Sequence, residues 1–256
     1  MSRTLWRWSV GLAPIVCLLL WATMPIAGQM GAKNGEWRAY AGEPGSTKYS
    51  PLDQINKENA KNLRIAWRFK TDNLGPNPDF NMQAVPLVVN GVMYTQAGSR
   101  RDVVALDPTT GEILWTWRMD EGVRGQNAPR RGSGRGIAYW TNGQADERIF
   151  TITPGYRLVA LNAKTGIPIP AFGTNGVIDL KTQIDQPSVN LETADIGINS
   201  PPVIGGNVVV VGAAHLPGGQ PKTKENIKGY IRGFDVRTGK RLWIFHTIPQ
   251  PGEFGN

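Results

Sequence analysis

The residues with most chemistry to offer lie close together: Arg130, Arg131 and Arg135, interleaved with Gly132, Gly134 and Gly136. A guanidinium presents a planar fork of donors that can bind a carboxylate through two bonds at once, and glycines let a backbone approach a flat ligand closely. The same run also reads as a solvated basic loop, and residue types alone leave both readings open. It is not a phosphate loop, because Gly132-Ser133-Gly134-Arg135-Gly136 lacks the dinucleotide-binding glycine spacing and the helix that should follow. The two histidines, His215 and His246, match no zinc-ligand spacing, and the metal ligands stay unknown. His215 falls at a strand exit and is a candidate ligand contact, whereas His246 follows Trp243 on an outer strand and reads as structural. The single cysteine, Cys17, lies in the N-terminal apolar run, so the chain beyond it has no thiol and no disulfide.

The elements that must carry these residues are set by an internal repeat. Three segments share one grammar: VVALDPTTGEILWTW (Val103–Trp117), LVALNAKTGIPIPAF (Leu158–Phe172) and IRGFDVRTGKRLWIF (Ile231–Phe245). In each, an alternating apolar run meets Asp107, Asn162 or Asp235, a turn closed by Gly111, Gly166 or Gly239, and a second run. Period-two alternation means strands; the Asp or Asn oxygen can accept from turn amides, and glycine tolerates the left-handed backbone of a tight turn. Trp115 and Trp243 would lie flat against the neighbouring unit. A further strand pair precedes each hairpin, as in Ala84–Thr95 with its Asn90-Gly91 turn and Pro201–Val211 with Gly205-Gly206-Asn207. Four strands per unit, joined through a tryptophan, make the fold class all-β, a β-propeller with about three blades present. Pro168 and Pro170 break the middle unit, where an irregular outer strand is expected. An insertion is expected between about Pro217 and Lys228. Leu63–Phe69 is expected to form a lone outer strand. Three blades do not close a ring, so the chain reads as part of a larger propeller.

Composition narrows the class. In 256 residues there are 31 glycines, 19 prolines and 9 tryptophans with 19% charged residues, which excludes a disordered chain, a coiled coil and a disulfide-stapled mini-protein. Arg3 and Arg7 precede an apolar run from Ser9 to Met24 that is short for a membrane span; residues 1–28 read as an export signal or an uncleaved N-terminal anchor. Removing Arg3 and Arg7 takes the net charge from +8 to +6. A basic surface suits an anionic ligand or membrane; nucleic acid is not expected, since no recognition helix or aromatic-interleaved basic strand appears.

A family resemblance rests on a combination of motifs. Gly35-Glu36-Trp37, Tyr40, the run Tyr49-Ser50-Pro51-Leu52-Asp53-Gln54-Ile55-Asn56, Asn59, Leu63 and Ala66-Trp67 stand first. Pro86-Leu87-Val88-Val89, Asn199-Ser200-Pro201-Pro202, Arg232-Gly233-Phe234-Asp235 and the Asp-x-x-Thr-Gly repeats follow. From Gly35 to Asn256 the chain resembles pyrroloquinoline-quinone (PQQ) dependent dehydrogenases, closest to the glucose dehydrogenase-like branch. The resemblance implies an eight-bladed, periplasmic enzyme that oxidises a sugar or alcohol and passes electrons to a quinone or cytochrome, possessing PQQ and a divalent cation, calcium above all. A tether to the inner membrane through the N-terminal segment is also open. It implies cofactor contacts at Gln83, Arg131, Arg135, Asn199 and His215. Pro129 and Arg130 stand where alcohol-oxidising members carry adjacent cysteines, Arg131 where the glucose branch has a histidine, and no cation-binding Glu follows Val208–Val211. The missing Glu favours the sugar branch. The catalytic Asp and other cation ligands are expected beyond Asn256, leaving no catalytic residue here. The competing readings are a non-catalytic propeller scaffold of the cell envelope and an inactive truncated dehydrogenase.

Overall fold

The structure, a computed structural model, describes residues 35–255 except Pro76, Pro78, Phe80, Pro187 and 217–225. The N-terminal 1–28 segment and most of the expected insertion lie outside the described residues. Twelve strands form three four-stranded antiparallel sheets, each a meander in chain order. The first blade holds β1 (Leu87–Val89), β2 (Val92–Ala97), β3 (Asp102–Leu106) and β4 (Ile113–Trp117). The second holds β5 (Ala138–Thr141), β6 (Glu147–Ile152), β7 (Arg157–Asn162) and β8 (Val177–Asp179). The third holds β9 (Val203–Gly205), β10 (Val208–Val211), β11 (Ile231–Asp235) and β12 (Arg241–Phe245). The repeat in the sequence is therefore a propeller blade.

The repeated turns form as their residues dictate. Asp107 Oδ1 accepts from the amides of Thr109 (2.7 Å) and Thr110 (3.0 Å), Asn162 Oδ1 from Lys164 (2.9 Å) and Thr165 (3.1 Å), and Asp235 Oδ1 from Arg237 (3.0 Å) and Thr238 (2.7 Å). Gly111, Gly166 and Gly239 follow with φ of 74°, 71° and 75°, a region costly for any residue with a Cβ. The missing Cβ also clears a platform. The Trp115 ring lies on Gly166, so close that a Cβ there would sit 2.5 Å from it, and its Nε1 donates to the Ala163 carbonyl at 3.0 Å. Trp67 does the same on Gly111, donating to Pro108 O at 3.0 Å. Leu63–Phe69 thus supplies the docking tryptophan expected of an outer strand, but it joins no ladder among the described residues and is not a strand.

The middle blade solves its missing tryptophan in two parts. The chain runs past Pro168 and Pro170 and its fourth strand is β8, paired with β7 through Arg157–Asp179, Leu158–Ile178 and Val159–Val177. Ile178 fills the platform over Gly239, and the Arg148 guanidinium, held by Asp146 at 2.7 and 2.8 Å, donates to Val236 O at 3.0 Å, the acceptor equivalent to Ala163 O. Apolar side chains of adjacent sheets fill the spaces between blades. Leu87, Val103, Ile149 and Leu161 are buried between the first two, and Phe150, Leu158, Val209 and Phe234 between the second and third.

Among the described residues, five of the chain's 28 lysines and arginines are internal. Arg101, Arg124, Arg148, Arg232 and Lys181 are all buried, so the net charge overstates how basic the surface is. Lys181 Nζ donates to the carbonyls of Leu191 (2.9 Å) and Ala194 (3.2 Å). Burial first, and the nearby Arg124 charge second, pull its pKa down to about 8.

Two stability measurements test this account. Gly91 and Gly166 share a positive φ, but a Cβ on Gly91 meets nothing within 4 Å. Gly91→Ala is expected to cost about 1–2 kcal/mol from backbone strain alone, and Gly166→Ala about 1–3 kcal/mol more because the indole must move; urea unfolding reads both. For Lys181, between pH 8 and the unfolded value near 10.4 the unfolded chain binds more protons, so stability rises with pH across that window. Lys181→Met should remove an increment of roughly 3 kcal/mol, seen as a flatter urea midpoint between pH 8 and 10 than in the wild type.

Candidate cofactor-binding site

A cavity of about 680 Å³ opens where the β2–β3 turn, the β4–β5 connection, the β6–β7 turn and the segment before β9 converge. Loops gather there because antiparallel meanders return their turns to the same end of each blade.

The β4–β5 connection forms most of one wall, and buried ion pairs hold it. A short helix, α1 (Gly122–Gln126), carries Arg124, whose Nη1 and Nη2 each donate to Asp179 at 2.6 Å while Nε donates to Gly155 O at 2.7 Å. Burial works against the Asp179 charge, but Arg124 outweighs it and keeps that pKa below the usual carboxylate range. Just before α1, the Glu121 carboxylate accepts from Thr153 Oγ1 (2.9 Å), the Gly155 amide (2.6 Å) and Arg157. First and second blades are thereby locked at this end.

The arginine–glycine loop lies across the cavity floor. Ser133 and Gly134 are buried, while Arg131 and Arg135 extend into the open. Gln96, buried on β2, spans the loop and β6. Oriented by its neighbours, its Nε2 donates to Ser133 O (3.2 Å) and Gly136 O (2.9 Å), and its Oε1 accepts from Thr151 Oγ1 (2.6 Å). Gly136 pairs in parallel with Val85, which donates its amide to Arg135 O at 3.0 Å.

Of the residues expected from the sequence, Gln83, Arg131 and Asn199 line the cavity. Arg135 joins them at the edge: its Nε donates to Gln83 Oε1 at 3.4 Å and its amide to Asn199 O at 2.8 Å. His215 is not on the wall. Its Nδ1 lies 2.6 Å from Asp195 O, in a contact that anchors the strand exit. His246 pairs with Glu253 at 2.6 Å and packs edge-on against Tyr230, in keeping with a structural role. Among the described residues no three His, Cys, Asp or Glu side chains converge as a cation site.

The sequence reading missed several wall residues. Arg100 and Asp120 pair at 2.7 Å on the rim, and Asp79 Oδ2 and Ser99 Oγ are buried at the wall without a hydrogen-bond partner. These are turn residues with no motif around them, so only their convergence reveals them. Buried polar atoms without partners at a cavity wall are places where a ligand can complete the bonding.

The comparisons agree with this architecture. The match to the family described as "PQQ: Glucose/ethanol/alcohol dehydrogenase, beta-propeller domain" runs over residues 37–255. The chain is 29% identical over 237 residues to quinoprotein glucose dehydrogenase A of Acinetobacter calcoaceticus, covering 85% of this chain and 28% of that protein. It is 33% identical over 225 residues to the dehydrogenase subunit of the quinone alcohol dehydrogenase of Gluconobacter oxydans (strain 621H), covering 86% of this chain and 26% of that one. Among solved structures, the quinohemoprotein alcohol dehydrogenase ADHIIG of Pseudomonas putida HK5 superposes with a TM-score of 0.65 at 28% identity, covering 84% of this chain and 27% of the other. That of Comamonas testosteroni gives 0.66 at 25%, covering 88% and 29%. The chain thus spans less than a third of the length of these relatives. With three four-stranded blades, two of their turns covered by a docked tryptophan, a cavity at their shared end and a family match over nearly all its described length, the chain belongs to the PQQ-dependent glucose/ethanol/alcohol dehydrogenase β-propeller family.

Proposed function

We propose that this propeller segment serves a periplasmic quinoprotein dehydrogenase that binds PQQ in the cavity and oxidises a sugar of the glucose type, or an alcohol, with a quinone or cytochrome as electron acceptor. The observation that carries the reading is that Arg131, Gln83 and Asn199 line the same cavity, with Arg135 bonded to Gln83. Its volume of about 680 Å³ lies within the range of small-molecule sites. The guanidinium and amide donors suit a flat tricarboxylate, the partnerless Ser99 Oγ adds a group that can donate or accept, and the partnerless Asp79 Oδ2 accepts only and calls for a donor on the ligand.

PQQ, when bound, supplies the two-electron oxidising chemistry. This chain's own residues would hold and orient it. Arg131 and Arg135 would meet its carboxylates with charge-assisted hydrogen bonds. The Gln83 amide, already engaged with Arg135, would set the tilt of that guanidinium, and Gly132, where a Cβ would meet nothing within 4 Å, leaves room for a planar ring. A divalent cation such as calcium belongs to the reading for the whole protein, but the described residues do not form a cage for it. Residues 1–28 direct export in this reading, with or without retention in the inner membrane. The absence of a cysteine pair before Arg135, and of a Glu after β10, favours a sugar over a primary alcohol as substrate.

Titration of the full-length natural protein with PQQ, read by tryptophan quenching, tests the site. Arg131→Ala and Arg135→Ala should each weaken binding by about 10- to 100-fold, the worth of a hydrogen bond to a charged group. Because both side chains are exposed, the urea midpoints should move by no more than about 0.5 kcal/mol equivalent. Absence of saturable quenching in the wild type, or wild-type affinity in both variants, would refute the site. With PQQ and calcium supplied, faster turnover of primary alcohols than of aldoses would overturn the substrate assignment.

A further inference from the structure

We infer that Arg101 is a positioning residue that holds the arginine–glycine loop onto the second and third blades and so sets the direction in which Arg131 points. The identity of the ligand rests on the PQQ reading above; the holding of the loop does not.

The Arg101 side chain is 1% exposed, and its guanidinium hydrogen-bonds only to main-chain carbonyls. Nη2 donates to Arg130 O (2.5 Å) and Nε to Gly132 O (3.2 Å). Nη1 reaches the second blade at Ile152 O (3.2 Å) and the approach to the third at Ile198 O (2.6 Å). The two loop acceptors flank Arg131. Arg130 O belongs to the peptide plane that enters Arg131 and Gly132 O to the plane that leaves Gly132, so the two bonds pin the chain on both sides of the Arg131-Gly132 pair and limit the directions open to the Arg131 Cα–Cβ bond. The other acceptors are in neighbouring blades, so one side chain refers the position of Arg131 to all three.

Arg101 occupies a costly position, which argues that the side chain has a task there. Its φ is +57°, where glycine or asparagine would be less strained. A buried guanidinium is tolerable only when its donors are satisfied. The second blade repeats the device. Tyr156 stands six residues before Asn162, as Arg101 stands six before Asp107. It too has a positive φ, +68°, and its buried hydroxyl reaches Gly212 O in the third blade at 2.6 Å. Gly134 completes the fit from the loop side: a Cβ there would come 2.6 Å from the Gln96 amide and 3.2 Å from Arg101.

The test uses the full natural chain with Arg101→Lys, which keeps the charge but places one nitrogen where three now bond. Three readouts are taken: hydrogen exchange of the amides of residues 130–136 without PQQ, PQQ affinity by quenching, and the urea midpoint. The expected result is at least 10-fold faster exchange in that loop with the β3 and β7 amides unchanged, and PQQ binding at least 10-fold weaker in protein that remains folded. Adding Arg131→Ala to Arg101→Lys should then cost less than 2-fold further, because a misdirected Arg131 has little left to lose. Unchanged loop exchange together with affinity within 2-fold of wild type overturns the inference. So does full additivity of the two substitutions, which would mean a structural role alone. Should Arg101→Lys not fold, Gly134→Ala disturbs the same contact from the other side and must speed the same amides; normal exchange there overturns the inference as well. A wild type that binds no PQQ defeats the cofactor reading, and the exchange measurement still decides the role of Arg101.

Discussion

The Trp115 indole resting on Gly166, with its N–H on the Ala163 carbonyl, is the contact on which the relative placement of the first two blades depends. It combines three requirements: a turn glycine in the left-handed region, the absence of a Cβ at that point, and a carbonyl left free by the turn to accept from the ring. Any other residue at the glycine both strains the turn and lifts the tryptophan from its seat. Once the seat is taken, the apolar faces of adjacent sheets meet, and burial of that surface contributes the bulk of the stabilisation. The second blade shows which part of the contact is indispensable. Its outer strand brings no indole, yet Ile178 still covers Gly239 and Arg148 still donates to the equivalent carbonyl.

A polar layer lies at the cavity end of this apolar stack. Arg101, Arg124 and Arg232 reach across blade boundaries, and most of their bonds go to carbonyl oxygens. A guanidinium suits this task because five donors in a rigid plane can collect acceptors from several loops at once. The loops that form the cavity line it mostly with polar residues and glycine. Their order comes from these side chains and from the Glu121 and Asp179 carboxylates, so the candidate site and the blade junctions share one network.

Much of this was legible in the residues. Each strand pair followed from period-two alternation, each turn from Asp or Asn followed by Thr-Gly, and the blade from their repetition. Gln83, Arg131 and Asn199 could be carried onto the chain through the family motifs and line one cavity. Other features depended on distance in space. Nothing in Leu63–Phe69 reveals that its tryptophan docks while its backbone joins no ladder. The replacement of the middle tryptophan by Ile178 and Arg148 joins positions far apart in the chain, and the prolines showed only that something must differ. Excess positive charge was read as surface, but a sequence does not distinguish an arginine in water from one bonded to buried carbonyls.

The sequence by itself determined the blade, because strands and turns are encoded by neighbouring residues whose backbone preferences act locally. It also determined the family and the residues that could meet an anionic cofactor. Only the tertiary structure decided which of those residues line one cavity, since His215 stands off it and Arg135 reaches it through Gln83. It alone decided that Arg101, with no motif around it, ties three blades to one loop. That outcome depends on carbonyls from distant turns arriving within hydrogen-bond reach of one guanidinium, which happens only after the apolar stacking of whole sheets has set the distances.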